Sequence, residues 1–248
     1  MLDIIFLKSK FIYTVRLLLI LNLALVGLTA PAVAEKAESQ NNYSDYGLPT
    51  HRRDGGSRGI RKHNLVALIP KKTLGVNASD SPKLFFYVPK INNQKTLEFV
   101  LRNQQDELIY EAFLTTKGEG IISIDIPLQV QADLVKNDAN YHWYLSIIHD
   151  PEQRSRDVVV EGWMRQSQID TIERQKLAQV NSVERAEMYH QKGFWYDALS
   201  VLANNYQSEA ERPLIRAKWS ELLTSVGLSE VASAPFVDSK IVEFSTKQ

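Results

Sequence analysis

From Tyr141 to Arg165 the chain sorts its side chains into two sets. Tyr141, Trp143, Leu145 and Ile147 fall on one side of an extended strand, and His142, Tyr144, Ser146 and Ile148 fall on the other. After a polar stretch marked by Asp150-Pro151, Val158 and Val160 resume the alternation. The pattern predicts a β-hairpin. Pro151 has no N–H to give to a ladder and belongs in the connection, while Gly162 in the second arm predicts a bulge or a close approach of another group.

Shorter runs of the same character precede the hairpin. Leu65–Ile69 stops at Pro70 and Leu84–Val88 at Pro89. Thr96–Arg102 places Leu97, Phe99 and Leu101 on one face. Across a turn at Asn103–Asp106, Glu107–Thr115 returns with Leu108, Tyr110, Ala112 and Leu114 in phase, and Gly120–Ile126 ends at Pro127. Short strands at close spacing, with turn signals and no helical pattern between them, predict an antiparallel, immunoglobulin-like β-sandwich over residues 64–166. With the stretch before it, this gives a unit of 51–166.

Beyond Arg165 the period lengthens. Ile169, Ile172, Lys176 and Leu177 form a weak helical stripe, and Asn181 followed by Glu184 is the signature of a capped helix start. Trp195, Ala198, Leu199 and Leu202 share one face of a further helix after Gly193. Ile215, Trp219, Leu222, Leu223 and Val226 make the stripe of another, opened by Pro213 and stopped by Gly227. These predict a helical region over 167–234 and a loosely held tail over 235–248. Tyr189, Gly193, Trp195 and Ala198 stand in the order used by the middle of a tetratricopeptide hairpin, and a single such unit is visible.

Composition adds an address. Lys8, Lys10 and Arg16 precede an apolar run at 17–28, and Ala32-Val33-Ala34 then offers a small-residue cleavage site. Residues 1–34 therefore read as a secretory signal peptide, cut after Ala34, with an uncleaved anchor as the alternative; either way the folded part is exported. Residues 35–50 are polar and read as a flexible spacer. The sequence has no cysteine, so an exported domain must be held by its core alone. With 29 basic and 29 acidic residues, net charge points to neither nucleic acid nor a membrane surface as partner.

Candidate chemistry is sparse. Gly55-Gly56-Ser57-Arg58-Gly59 has the spacing of a hydrolase nucleophile elbow at Ser57, yet the strand that should precede it and the helix that should follow are absent from the pattern. Arg52, Arg53 and Arg58 around these glycines fit an anion-binding nest, or a loop whose arginines pair within the domain. None of the five histidines has metal-site spacing, and no cofactor is implied. His142 reads as an ordinary strand residue, and Asp157 and Glu161 as an exposed face. Trp143 and Trp163 read as core. Trp195, Tyr196 and Asp197 are expected to form an aromatic contact surface at a turn.

Taken together, GLPTHRRDGGSRG, LVALIP, LFFYVP, LEFVLRN, YHWYLSIIHDPEQRS, VVVEGWMR, GFWYDALSVL and WSELLTSVGL resemble the cyanobacterial family of domain of unknown function 928, over roughly residues 47–237. The resemblance implies an exported protein and brings no catalytic residue. Relatives usually carry cysteines where this chain has Arg61 and His149, which implies a disulfide in them and proximity of Arg61 and His149 here. The expected function is a non-enzymatic binding module of the cell envelope whose partner is an envelope protein or glycan. The alternatives are a structural subunit of an envelope assembly and, remotely, a serine hydrolase using Ser57.

Overall fold

A computed structural model describes residues 52, 64–71, 74–78, 82–91, 96–127, 130, 140–207 and 212–246. The segments expected to be a signal peptide and a spacer, and Arg53, Ser57, Arg58 and Arg61 of the glycine loop, lie outside them. Among the described residues nine strands form two sheets. β1 (Val66–Ala67), β3 (Lys83–Val88) and β6 (Gly120–Asp125) make a small sheet in the order β1-β3-β6. The large sheet runs β2-β8-β7-β4-β5-β9, from β2 (Gly75–Asn77), β8 (Val158–Gln166), β7 (Asn140–Ile147), β4 (Leu97–Arg102), β5 (Leu108–Thr116) and β9 (Ser239–Thr246). Every pairing is antiparallel except β2 with β8. The expected antiparallel sandwich is thus mixed at one edge.

Four helices follow among the described residues: α1 (Thr171–Gln179), α2 (Ser182–Gln191), α3 (Trp195–Asn204) and α4 (Arg212–Ser225). The first two are capped by side chains. Asp170 and Asn181 accept from the N–H of Glu173 and Glu184, at 2.8 and 3.0 Å, satisfying donors that the first turn leaves free. α2 and α4 end near Gly193 and Gly227, at φ of 85° and 73°.

β3 sits between two layers. Its Phe86 packs edge-on against Phe99 and Trp143 of the large sheet, with ring centroids 6.4 and 5.3 Å away. The neighbouring Phe85 turns the other way, onto Trp219 of α4 at 5.7 Å. A strand covered on both faces needs apolar side chains at successive positions, which is why LFFYV shows no alternation and every one of its residues is buried. α4 and part of α3 therefore pack on the small sheet as a third layer, and each large side chain buried there contributes roughly 1.5–3 kcal/mol.

The tail expected to be loose is β9. It pairs along β5 from Thr116↔Ser239 to Tyr110↔Thr246, with a register shift at Phe113/Leu114. That shift breaks the alternation of apolar positions and hides the strand from periodicity.

Candidate functional site

The hairpin β7–β8 presents two unlike faces. Odd residues of β7 enter the sandwich: Trp143 and Leu145 are fully buried, and Trp143 stands opposite Gly162 in register. Even residues point away from the small sheet, where cross-strand neighbours sit within reach of each other. There His142 pairs in register with Trp163, and their rings stack 4.3 Å apart at 10°. Tyr144 pairs with Glu161. Its hydroxyl lies 2.7 Å from His142 Nδ1, while His142 Nε2 lies 3.1 Å from Glu161 Oε2. In the neutral tautomer with its proton on Nε2, Nδ1 accepts from the phenol while the carboxylate stands beside Nε2.

Burial lowers the His142 pKa below its usual value, and Glu161 offsets this only in part. The Tyr144 hydroxyl is pushed up, first by burial and then by Glu161 and Asp106. The result is a neutral imidazole held between an indole and a phenol. The same face continues over β4: Arg102 is in register with His142, Val100 with Tyr144 and Glu98 with Ser146. Arg154, in the short 3-10 turn Arg154–Arg156, reaches back to Glu98 and Asp157. Asp157 also accepts from the His149 N–H at 3.1 Å, so the hairpin tip is tied to β4. An aromatic block flanked by carboxylates and guanidinium groups can stack on a flat ring and hydrogen-bond its polar edge. Among the described residues no His, Asp and Glu group is arranged to hold a metal.

The residues expected to bind are placed differently. Trp195, Tyr196 and Asp197 are 0, 1 and 2% exposed, which corrects their assignment to a contact surface. They form the first turn of α3, and each docks on the sandwich. Trp195 Nε1 donates to the Leu68 carbonyl at 2.7 Å. The Tyr196 hydroxyl accepts from Trp143 Nε1 at 3.1 Å and donates to the Trp163 carbonyl at 3.3 Å. Its ring lies so close over Gly75 that a Cβ there would meet Cε2 at 2.1 Å. Asp197 Oδ2 accepts from the Ala78 N–H at 2.7 Å.

Arg52 is also internal, at 7% exposure. Its Nη1 donates to the carbonyls of Ile69 and Val226 at 2.9 and 2.7 Å, filling acceptors left at the end of α4. This guanidinium caps a helix, which corrects its reading as a ligand contact. Arg53, Arg58, Ser57 and the Arg61 side of the proposed Arg61–His149 pair fall outside the described residues. Trp163, expected in the core, lies on the outer face with His142. Its phase with Val159 and Glu161, opposite to Val160, is the sequence signal that places it there.

The described residues thus form a mixed sandwich with helices packed against it and an aromatic and charged block on the outer face of its larger sheet. The match to a family model agrees in extent: the chain belongs to the family of domain of unknown function 928, matched over residues 52–236. The match begins at the helix-capping Arg52 and ends before β9. A search of curated proteins finds no match.

Proposed function

We propose that this protein is an exported, non-enzymatic binding module of the cell envelope, of cyanobacterial type, that holds an envelope glycan on the outer face of its large sheet. The observation that carries the reading is the His142–Trp163 stack with the Tyr144 hydroxyl 2.7 Å from His142 Nδ1 and a Glu161 oxygen 3.1 Å from Nε2. Polar and aromatic groups there are held in fixed positions without serving the core, and fixed aromatic rings beside carboxylates suit the apolar faces and hydroxyl edges of sugars. The same reading takes the sandwich as immunoglobulin-like and the α2–α3 hairpin as a single tetratricopeptide-like unit; strand number and the tight connection at Gly193 support these likenesses.

The test retains envelope extracts on immobilised protein and analyses bound sugar and bound protein separately. Retained glycan that is lost with Trp163→Ala and reduced with Glu161→Gln, both variants folding normally by circular dichroism, supports the reading. Glycan retained equally by all three removes the outer face as the site. A retained protein without glycan replaces the ligand class.

A further inference from the structure

Beside β6 the two sheets part around a cleft of about 460 Å³. One wall is the edge of β6 at Ser123–Asp125, and the other is the inner face of the large sheet, where Leu114 of β5 pairs with Ile241 of β9. Phe236 and Tyr206, with ring centroids 4.6 Å apart, line it between these walls. Leu114 is buried, but Ile241 next to it is 43% exposed.

The edge of β6 is only partly paired. Toward the cleft, the Ile121 N–H donates to the Pro235 carbonyl at 2.7 Å, and the Ile121 carbonyl accepts from the Val237 N–H at 2.9 Å. Main-chain groups on one edge of a strand recur at every second residue, so those of Ser123 and Asp125 face the same way. The segment that covers Ile121 then leaves for the other sheet, and its last bond to β6 is from Ser239 Oγ to the Ser123 carbonyl at 3.3 Å. The small sheet stops at β6, while the large sheet continues through β5 to β9. One more strand beside β6 would lie across from β9 and cover Ile241.

Charge narrows the occupant. The charged side chains lining the cleft are two carboxylates, Asp125 and Asp238. Asp125 has Lys83 at 3.1 Å and Asp238 has Lys117 at 3.8 Å, the second pair between side chains 84 and 88% exposed. An exposed pair of that kind is worth about 0–1 kcal/mol, so an incoming cation displaces the lysine at little cost.

We propose that this cleft is a strand-addition site for an extended peptide in which apolar side chains alternate with Lys or Arg. Its main chain pairs with Ser123 and Asp125, its apolar side chains meet Leu114, Ile241 and Phe236, and its cations meet Asp125 and Asp238. The site is separate from the outer face.

The test titrates the full chain with a blocked, alternating Val-Lys hexapeptide and follows the backbone amide resonances of Ser123, Asp125 and Ile241. Saturable shifts at these residues are expected. The same peptide with every amide N-methylated, and an alternating Val-Glu peptide, should each bind about tenfold more weakly or not at all. Asp125→Asn combined with Asp238→Asn should weaken Val-Lys binding about fivefold at an unchanged unfolding midpoint. Absence of shifts at the three amides, equal binding of either control peptide, or shifts confined to His142 and Trp163 would each overturn the proposal.

Discussion

The inner and outer faces of the β7–β8 hairpin are built from the same strands, one residue out of phase, and do different work. Inside, Trp143 lies over Gly162 of its own sheet, meets Phe86 of the small sheet edge-on and gives its N–H to Tyr196 of α3, so that one indole ties three layers together. Outside, the Trp163 ring stacks on His142, its neighbour across the same sheet. The inner indole fixes how the layers stack. The outer one fixes a small set of polar atoms at a surface. Burial alone is a poor guide to which aromatic residue serves recognition; what matters is whether its neighbours come from distant layers or from the same sheet face.

The widest break in that comparison should come from truncating the two indoles. Trp143→Ala should cost about 3–5 kcal/mol in denaturant unfolding, as cavity-forming substitutions do, whereas Trp163→Ala should cost about 0.5–1.5 kcal/mol, the scale of one aromatic pair. Equal losses would erase the distinction between the faces. Gly162→Ala should come next, at about 1–3 kcal/mol, because its Cβ would sit 2.3 Å from Trp143 Cζ2. Paired with Trp143→Phe, the alanine should be less harmful than in the parent, a coupling that a double-mutant cycle measures.

Asp197→Ala should also cost about 1–3 kcal/mol by leaving the Ala78 N–H buried without its acceptor. Hydrogen exchange should locate that loss at the junction of α3 with β2 and leave the outer face protected as before.

Acidification should give the smallest effect. The pKa values of His142 and His190 are both lowered in the fold, chiefly by burial. The unfolded chain then binds more protons as pH falls through the ordinary histidine value, so their contribution is complete above about pH 6.5 and shrinks below it until the folded-state values are passed. His142→Gln should flatten the stability profile between pH 7 and 5, measured by thermal unfolding at fixed salt, and His190→Gln should flatten it separately. A profile unchanged by both substitutions would remove the histidines as its cause.

Much of the architecture is legible in local pattern. Seven of the described strands follow runs of alternating or apolar residues, and the four described helices follow apolar stripes, of which α1 and α2 open on side-chain caps. β2 escapes because Gly75–Asn77 is too short to show a period, and β9 because Ile241 and Val242 fall across a register shift. The outer-face block is half legible: alternation separates His142 and Tyr144 from Trp143, but the diagonal approach of Glu161 to His142 depends on a register that the Ile148–Asp157 connection fixes only in three dimensions. The start of α3 is the least legible. Three successive residues with large or charged side chains look like a surface turn, and only their distant partners, Leu68, Trp143 and Ala78, make them interior. Arg52 misleads for the same reason, since its partner carbonyls belong to Ile69 and to the end of α4.

The reach of Arg52 also carries a consequence for synthesis. Its Nη1 meets a carbonyl 174 residues further along, so the residue that leaves the ribosome early waits for nearly the whole domain before its guanidinium can be satisfied. β5 waits in the same way for β9, more than 120 residues further along in the register Thr116↔Ser239. A nascent chain halted anywhere before Gly227 holds an unfilled arginine and an open sheet edge together, which makes completion of the domain a late, concerted event and leaves the unfinished chain dependent on being kept from its neighbours.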